Sequence, residues 1–300
     1  MPQTATRQKQ WKGTTGGTPW MQKALVFFLG WMNLPFVYSG MAIVIVFYMI
    51  FNHQGYITQY HFFHLRMGYN PLKAFWNVYL NHFRFGQIIL DRFAVYGGAK
   101  FKMDIEGYDL YTSCQKSTEG FIQLSSHIGN FELAGYMLSP APKHIFALVF
   151  GGETETMMKN RSRVLGLQNI HLIPVDNEMG HVYTLNTALQ EGNIVSMPGD
   201  RIFGSQKSIH CQFFGKEAHF PMGPYILAAS RNTPVLSIFV MKKSVYKYQI
   251  YIQKVDLPET AERLTTRKKA EALAQTFATQ LETIVRRYPN QWFNYYEFWN

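Results

Sequence analysis

The chain has 300 residues, with 29 Lys and Arg against 19 Asp and Glu, giving a net charge of +10 at neutral pH. That length buries the core of one large domain and leaves room for an appended segment. Two cysteines, Cys114 and Cys211, exclude a disulfide framework and read as reduced thiols, and no Cys/His spacing suits a metal, so no metal site is expected.

The charge is unevenly placed. No Asp or Glu precedes Asp91, whereas Arg7, Lys9, Lys12, Lys23, Arg66, Lys73 and Arg84 do. These residues flank a long apolar stretch instead of interleaving along one face, which favours an anionic membrane surface and excludes a nucleic-acid partner. Residues 1–23 read as a basic tail and 24–52, free of charge, as a hydrophobic anchor. About 20 apolar residues span a bilayer, so a single transmembrane helix is one reading. Asn33 and Pro35 favour the other, two shorter helices over 24–34 and 36–51, because proline removes a backbone donor and kinks a helix. Basic flanks on both sides ask for both ends on the cytoplasmic face, hence a monotopic or re-entrant anchor. Within 56–93, Phe75, Tyr79, His82 and Phe83 recur at helical spacing, predicting amphipathic helices at lipid headgroup level or packed on the domain that follows.

Residues 53–300, including those helices, read as one folded domain. Strands are predicted at 100–106, 120–126, 145–150, 170–175, 194–197, 209–214 and 235–240, with an edge strand at 246–255. Helices are predicted at 131–138, 155–165, 180–191, 224–231 and 260–287, the last ending before Pro289. The expected fold class is α/β, a central, mostly parallel or mixed sheet flanked by helices, with the hydrophobic helical anchor before it.

The segment Ser125-Ser126-His127-Ile128-Gly129-Asn130-Phe131-Glu132 lies where an apolar strand gives way to a helix. Residues five apart in a continuous helix diverge by about 140°. A working His127–Glu132 pair therefore needs His127 before the helix, Gly129 at the turn and Glu132 in the first turn. Such a pair suits general-base chemistry, with Glu132 holding the imidazole. No G-x-S-x-G nucleophile accompanies it.

Farther on come Pro198-Gly199-Asp200-Arg201, Phe213-Phe214-Gly215 and Pro221-Met222-Gly223, and the chain closes on Gln291-Trp292-Phe293-Asn294-Tyr295-Tyr296-Glu297-Phe298-Trp299. Together these resemble the bacterial lipid A late acyltransferases, within the superfamily of lysophospholipid and glycerol-phosphate acyltransferases, over most of residues 20–300. The ending looks closest to a branch found with aryl-polyene or flexirubin pigment genes.

The resemblance implies a membrane-associated enzyme of the bacterial inner membrane, facing the cytoplasm. It would move a fatty acyl chain from an acyl carrier protein thioester, or less favourably acyl-CoA, to a hydroxyl of a lipid or glycolipid acceptor, without a cofactor. It implies His127 as base with Glu132, Gly129 and Asn130 as donors near the oxyanion, and Arg163, Asp200 and Arg201 on the acceptor. Phe213 and Phe214 would shape the acyl pocket or its turn. Where many phospholipid acyltransferases have Pro-Glu-Gly, this chain has Pro198-Gly199-Asp200, which moves the acceptor away from simple glycerol phosphate. An N-acyltransferase or acyl hydrolase on the same scaffold, and a non-enzymatic lipid-binding protein, are the alternatives.

Overall fold

The computed structural model describes residues 20, 24, 27–29, 31, 33–51, 53–138, 142–149, 169–175, 180–202, 207–258 and 264–299. Helices α1 (Leu34–Phe51) and α2 (His53–His61), a π-helical turn (Phe62–Arg66) and the long α3 (Pro71–Tyr96) come first. Then follow β1 (Lys102–Glu106), α4 (Tyr108–Lys116), β2 (Phe121–Ser125), α5 (Glu132–Met137), β3 (Ile145–Val149) and β4 (Ile170–Pro174). After α6 (Gly180–Gln190) and β5 (Ile194–Pro198), a hairpin of β6 (Ser208–Phe213) and β7 (Lys216–Pro221) leads into α7 (Gly223–Arg231). The chain ends with β8 (Val235–Ser244), β9 (Lys247–Lys254), α8 (Thr266–Arg287) and a 3₁₀ turn (Pro289–Gln291).

Seven strands form one sheet in the order β1-β9-β8-β2-β5-β3-β4. Every pairing in it is parallel except β8 with β9. The central strands are apolar on both faces, as a sheet covered on both sides requires: Phe121, Ile122 and Leu124 of β2 and Val235 through Met241 of β8 are all buried. One face packs on α6, α7, α8 and the hairpin through residues such as Leu185, Tyr225 and Phe277. The other packs on α3, α4 and α5 through Ile88, Tyr111 and Leu133. The result is a three-layer α/β domain.

The predicted edge strand is not at the edge. β9 lies between β1 and β8, and β1 takes the edge by pairing Lys102–Glu106 with Lys247–Tyr251. The hairpin partner β7 and helix α4 were not foreseen; the turn into β7 is made by Phe214 and Gly215, both at positive φ (52° and 70°). The helix predicted at 155–165 lies outside the described residues.

Helix α1 begins where the anchor was expected to break. Asn33 O accepts hydrogen bonds from the N–H groups of Phe36 and Val37, and Pro35 sits in the first turn, where its missing donor costs nothing. Leu34, Tyr38 and Ile45 are buried, while Phe36 (70% exposed), Ile43, Val44, Phe47 and Ile50 face outward. Among the described residues no single helix is long and apolar enough to cross a membrane. Leu34–Ile50 and Gly55–Arg66, bent by 95°, meet that criterion only as a pair.

Candidate active site

Strands β2 and β5 are parallel neighbours with Ser125 beside Pro198, so both chains leave the sheet at the same place. Their C-terminal ends are where parallel α/β sheets collect functional side chains. Gly199 N–H donates to Ser125 O at 2.8 Å, which ties the two exits together. Each exit then contributes one residue to a hydrogen-bonded pair, of which Asp200 is buried and His127 partly exposed.

From β2, the chain passes Ser126 and His127 into a turn held on both sides. Gly129 N–H donates to Gln291 O and Asn130 N–H to Val240 O, both at 2.8 Å, and Phe293 N–H donates to His127 O at 3.0 Å. Gly129 has φ +59°, and a Cβ there would run into the Val240 carbonyl. Gly129→Ala is therefore expected to destabilise the protein by at least about 1–2 kcal/mol, the left-handed penalty alone, read as a lower urea midpoint; an unchanged midpoint would mean that the turn relaxes freely.

From β5, Asp200 is buried at 2% exposure. Its Oδ2 accepts from Ser126 Oγ–H at 2.7 Å and from His127 N–H at 2.8 Å, while its Oδ1 stands 2.9 Å from His127 Nδ1. Burial by itself would raise the Asp200 pKa. The charge and hydrogen bonds of His127, with the Arg201 charge, outweigh it and bring it down to about 2. An ionised carboxylate only accepts, so Nδ1 carries the proton and the lone pair of the neutral ring lies on Nε2. Burial, then the neighbouring Arg201 charge, lower the His127 pKa, which keeps the ring neutral at physiological pH.

The carboxylate expected at Nδ1 was Glu132; the one that stands there is Asp200. Glu132 opens α5, as its spacing predicted, but its Oε1 meets Arg92 Nη1 at 2.9 Å. Arg92 Nε also reaches Asn130 Oδ1 at 3.3 Å, so α3 grips the turn through one guanidinium. The physical reason is the sheet: the β2–β5 register places residue 200 beside residue 127, a juxtaposition 73 positions apart in sequence.

The expected oxyanion donors are also otherwise engaged. The amides of Gly129 and Asn130 are spent on Gln291 and Val240, and Asn130 Nδ2 donates to Tyr248 Oη at 3.4 Å. Arg201 Nη2 donates to Phe293 O at 2.7 Å, and its guanidinium lies 5.5 Å from the Tyr296 ring centroid. Its Nε is buried with no hydrogen-bond partner among the described residues. Phe213 and Phe214 are buried in an aromatic cluster with Phe62, Trp292 and Trp299. Arg163 lies outside the described residues.

Sequence reasoning missed Ser126 and Arg92. Ser126 adjoins the motif and shares its carboxylate; Arg92 follows Asp91, the first acid of the chain, and nothing in the local pattern marks it.

Residues 97–299 match the family described as bacterial lipid A biosynthesis acyltransferase. Among solved structures, the chain is similar to the 1-acyl-sn-glycerophosphate (LPA) acyltransferase PlsC from Thermotoga maritima, at 15% identity and a TM-score of 0.34, over 82% of this chain and 98% of that one. No curated protein matches it.

Proposed function

Because the chain belongs to the bacterial lipid A biosynthesis acyltransferase family, we propose that it moves a fatty acyl chain from an acyl carrier protein thioester to a hydroxyl of a lipid or glycolipid acceptor, with His127 as general base. The observation that carries this reading is the Asp200-held imidazole at the shared exit of β2 and β5. A neutral His127 takes the acceptor's hydroxyl proton at Nε2 as the oxygen attacks the thioester carbonyl carbon. The tetrahedral intermediate then collapses, the C–S bond breaks, and the thiolate leaves with the proton from His127. Asp200 holds the ring in the productive tautomer and stabilises the imidazolium between the two steps. No acyl-enzyme is needed.

Glu132 acts one step removed in this scheme. Its ion pair with Arg92 fixes the first turn of α5 and, through Asn130, the turn that carries His127. Arg201, whose Nε has no hydrogen-bond partner among the described residues, is a proposed acceptor contact, and Arg163 is the other.

Membrane association is part of the proposal. The outward apolar residues of α1, together with Leu65, Leu72, Phe75 and Trp76 around the start of α3, form a large exposed apolar surface. Such surfaces on otherwise folded domains mark contact with lipid or protein. Lys and Arg without acid before Asp91 suit an anionic cytoplasmic leaflet, where an acyl carrier protein is also available.

The test is acyl transfer by purified protein, with labelled acyl carrier protein and a panel of hydroxyl and amine lipid acceptors, beside His127→Ala. A labelled ester that falls by at least about 10²-fold in the variant supports the reading. An amide product selects the N-acyl alternative, free fatty acid selects hydrolysis, and product formation undiminished in His127→Ala removes His127 as base.

A further inference from the structure

The outer face of the β6–β7 hairpin carries a side-chain cluster that acyl transfer does not use. The strands pair antiparallel, with His210 directly opposite His219 and Gln212 opposite Glu217. Alternation along each strand buries Ile209, Cys211, Phe213, Ala218 and Phe220 and turns Ser208, His210, Glu217 and His219 to the other face. There the two imidazole centroids lie 4.4 Å apart. His210 Nδ1 stands 2.7 Å from Glu217 Oε1, and His219 Nδ1 stands 3.1 Å from Ser208 Oγ. One ligand-capable atom from each of His210, Glu217 and His219 falls within 4.8 Å of the other two.

We propose that His210, Glu217 and His219 form a binding site for a divalent transition metal, zinc foremost. Two imidazole nitrogens and a carboxylate oxygen are the donor set that zinc takes when one position is left to water. Cross-strand pairing fixes the backbone positions of all three residues, so only side-chain rotation is needed to close the set around an ion. Ser208 Oγ at His219 Nδ1 is the kind of outer hydrogen bond that orients a ligating imidazole and leaves Nε2 to the metal. At His210, a cation taken up beside Glu217 stands in place of their hydrogen bond, with the ring proton on Nε2 and the Nδ1 lone pair on the ion.

The bound ion would clamp the two strands on their open face. Their inner face holds Phe213 and Phe220 against Trp292 and Phe298 of the C-terminal aromatic cluster. A ligand that binds only the folded hairpin stabilises the fold by mass action. No metal-like spacing is legible along the chain because the two histidines are nine positions apart on different strands, and the Phe214–Gly215 turn makes them neighbours.

The test is zinc chloride titration of the full chain by calorimetry, with thermal unfolding measured with and without zinc. The expected result is one saturable site that raises Tm, with affinity at least about tenfold weaker in His210→Ala and in His219→Ala and a smaller zinc-induced rise in Tm there at the same zinc concentration. Glu217→Gln keeps the shape, removes the charge and should also weaken binding. His144→Gln is the control, because His144 Nδ1 and His171 Nε2, 3.0 Å apart, are the rival imidazole pair. His210 and Glu217 are solvent-exposed, so their variants should fold, which circular dichroism checks. No saturable binding, parental affinity in His210→Ala and His219→Ala, or loss only in His144→Gln overturns the proposal.

Discussion

Asp200→Asn is expected to cut the rate of acyl transfer by about 10²–10⁴-fold, the range a positioned general base contributes, while leaving acceptor KM nearly unchanged. Asparagine fits the space and keeps an oxygen for Ser126 and the His127 amide. Its NH₂ then faces Nδ1, which forces the ring proton to Nε2 and leaves the base with no lone pair for the acceptor. Since Asp200 acts only through His127, the double variant His127→Ala/Asp200→Asn should be no slower than His127→Ala alone; residues that work as one unit do not add. Glu132→Gln supplies the contrast, because Glu132 pairs with Arg92, whose guanidinium also reaches Asn130 of the His127 turn. If Glu132→Gln behaved as Asp200→Asn should, and Asp200→Asn kept the parental rate, the carboxylate at Nδ1 would have been misassigned. A pH profile gives a second reading. Burial and the Arg201 charge lower the His127 pKa, with Asp200 opposing them. The base is lost as pH falls through that pKa, so the acid limb of kcat/KM should lie below the ordinary histidine value of about 6.5. Removing the positive charge in Arg201→Gln should move the limb upward.

The layout of strands was legible because β2, β3, β4, β5 and β8 are short apolar runs bounded by turn residues, a signal that survives without any partner being known. The position of β9 was not legible. Alternation reports that one strand face is less buried, not which neighbour a strand chooses, and β1 covers the side that alternation left open. The same division applies to the site. His127, the Gly129 turn and the start of α5 at Glu132 follow from local chemistry within eight residues. The identity of the carboxylate at Nδ1 depends on the β2–β5 register, a non-local property, so the nearer Glu132 was the natural sequence choice and Asp200 the structural one. The amides of Gly129 and Asn130 were expected to be available for the same reason: Gln291 and Val240, which take their hydrogen bonds, come from segments more than a hundred residues away.

Lys242→Ala is expected to destabilise the fold by about 3–5 kcal/mol, the cost of leaving one charge of a buried pair without its partner. Lys242 Nζ and Asp91 Oδ2 are 2.5 Å apart with both side chains fully buried. Tyr38 and Tyr248 both donate to the same carboxylate, and Lys242 Nζ also donates to Val245 O at 3.0 Å. Burial raises the Asp91 pKa despite Lys242 and lowers that of Lys242 despite Asp91, so desolvation strains both charges and their mutual contact relieves it. The pair ties four parts of the molecule: Tyr38 from α1, Asp91 from α3, Lys242 and Tyr248 from the β8–β9 ladder, and, through the Tyr248 hydroxyl, Asn130 of the His127 turn. Removing either charge alone should therefore lower the urea midpoint sharply, whereas Asp91→Leu/Lys242→Met, which removes both and keeps volume, should regain most of the loss. Equal instability of the double variant and both singles would show that shape, not charge pairing, sets the cost. The regained stability should not bring back full acyl transfer, because the double variant no longer fixes the Tyr248 hydroxyl against Asn130. Stability and activity parting in that variant would show that the buried pair positions the turn that carries His127 as well as holding α1 and α3 to the sheet.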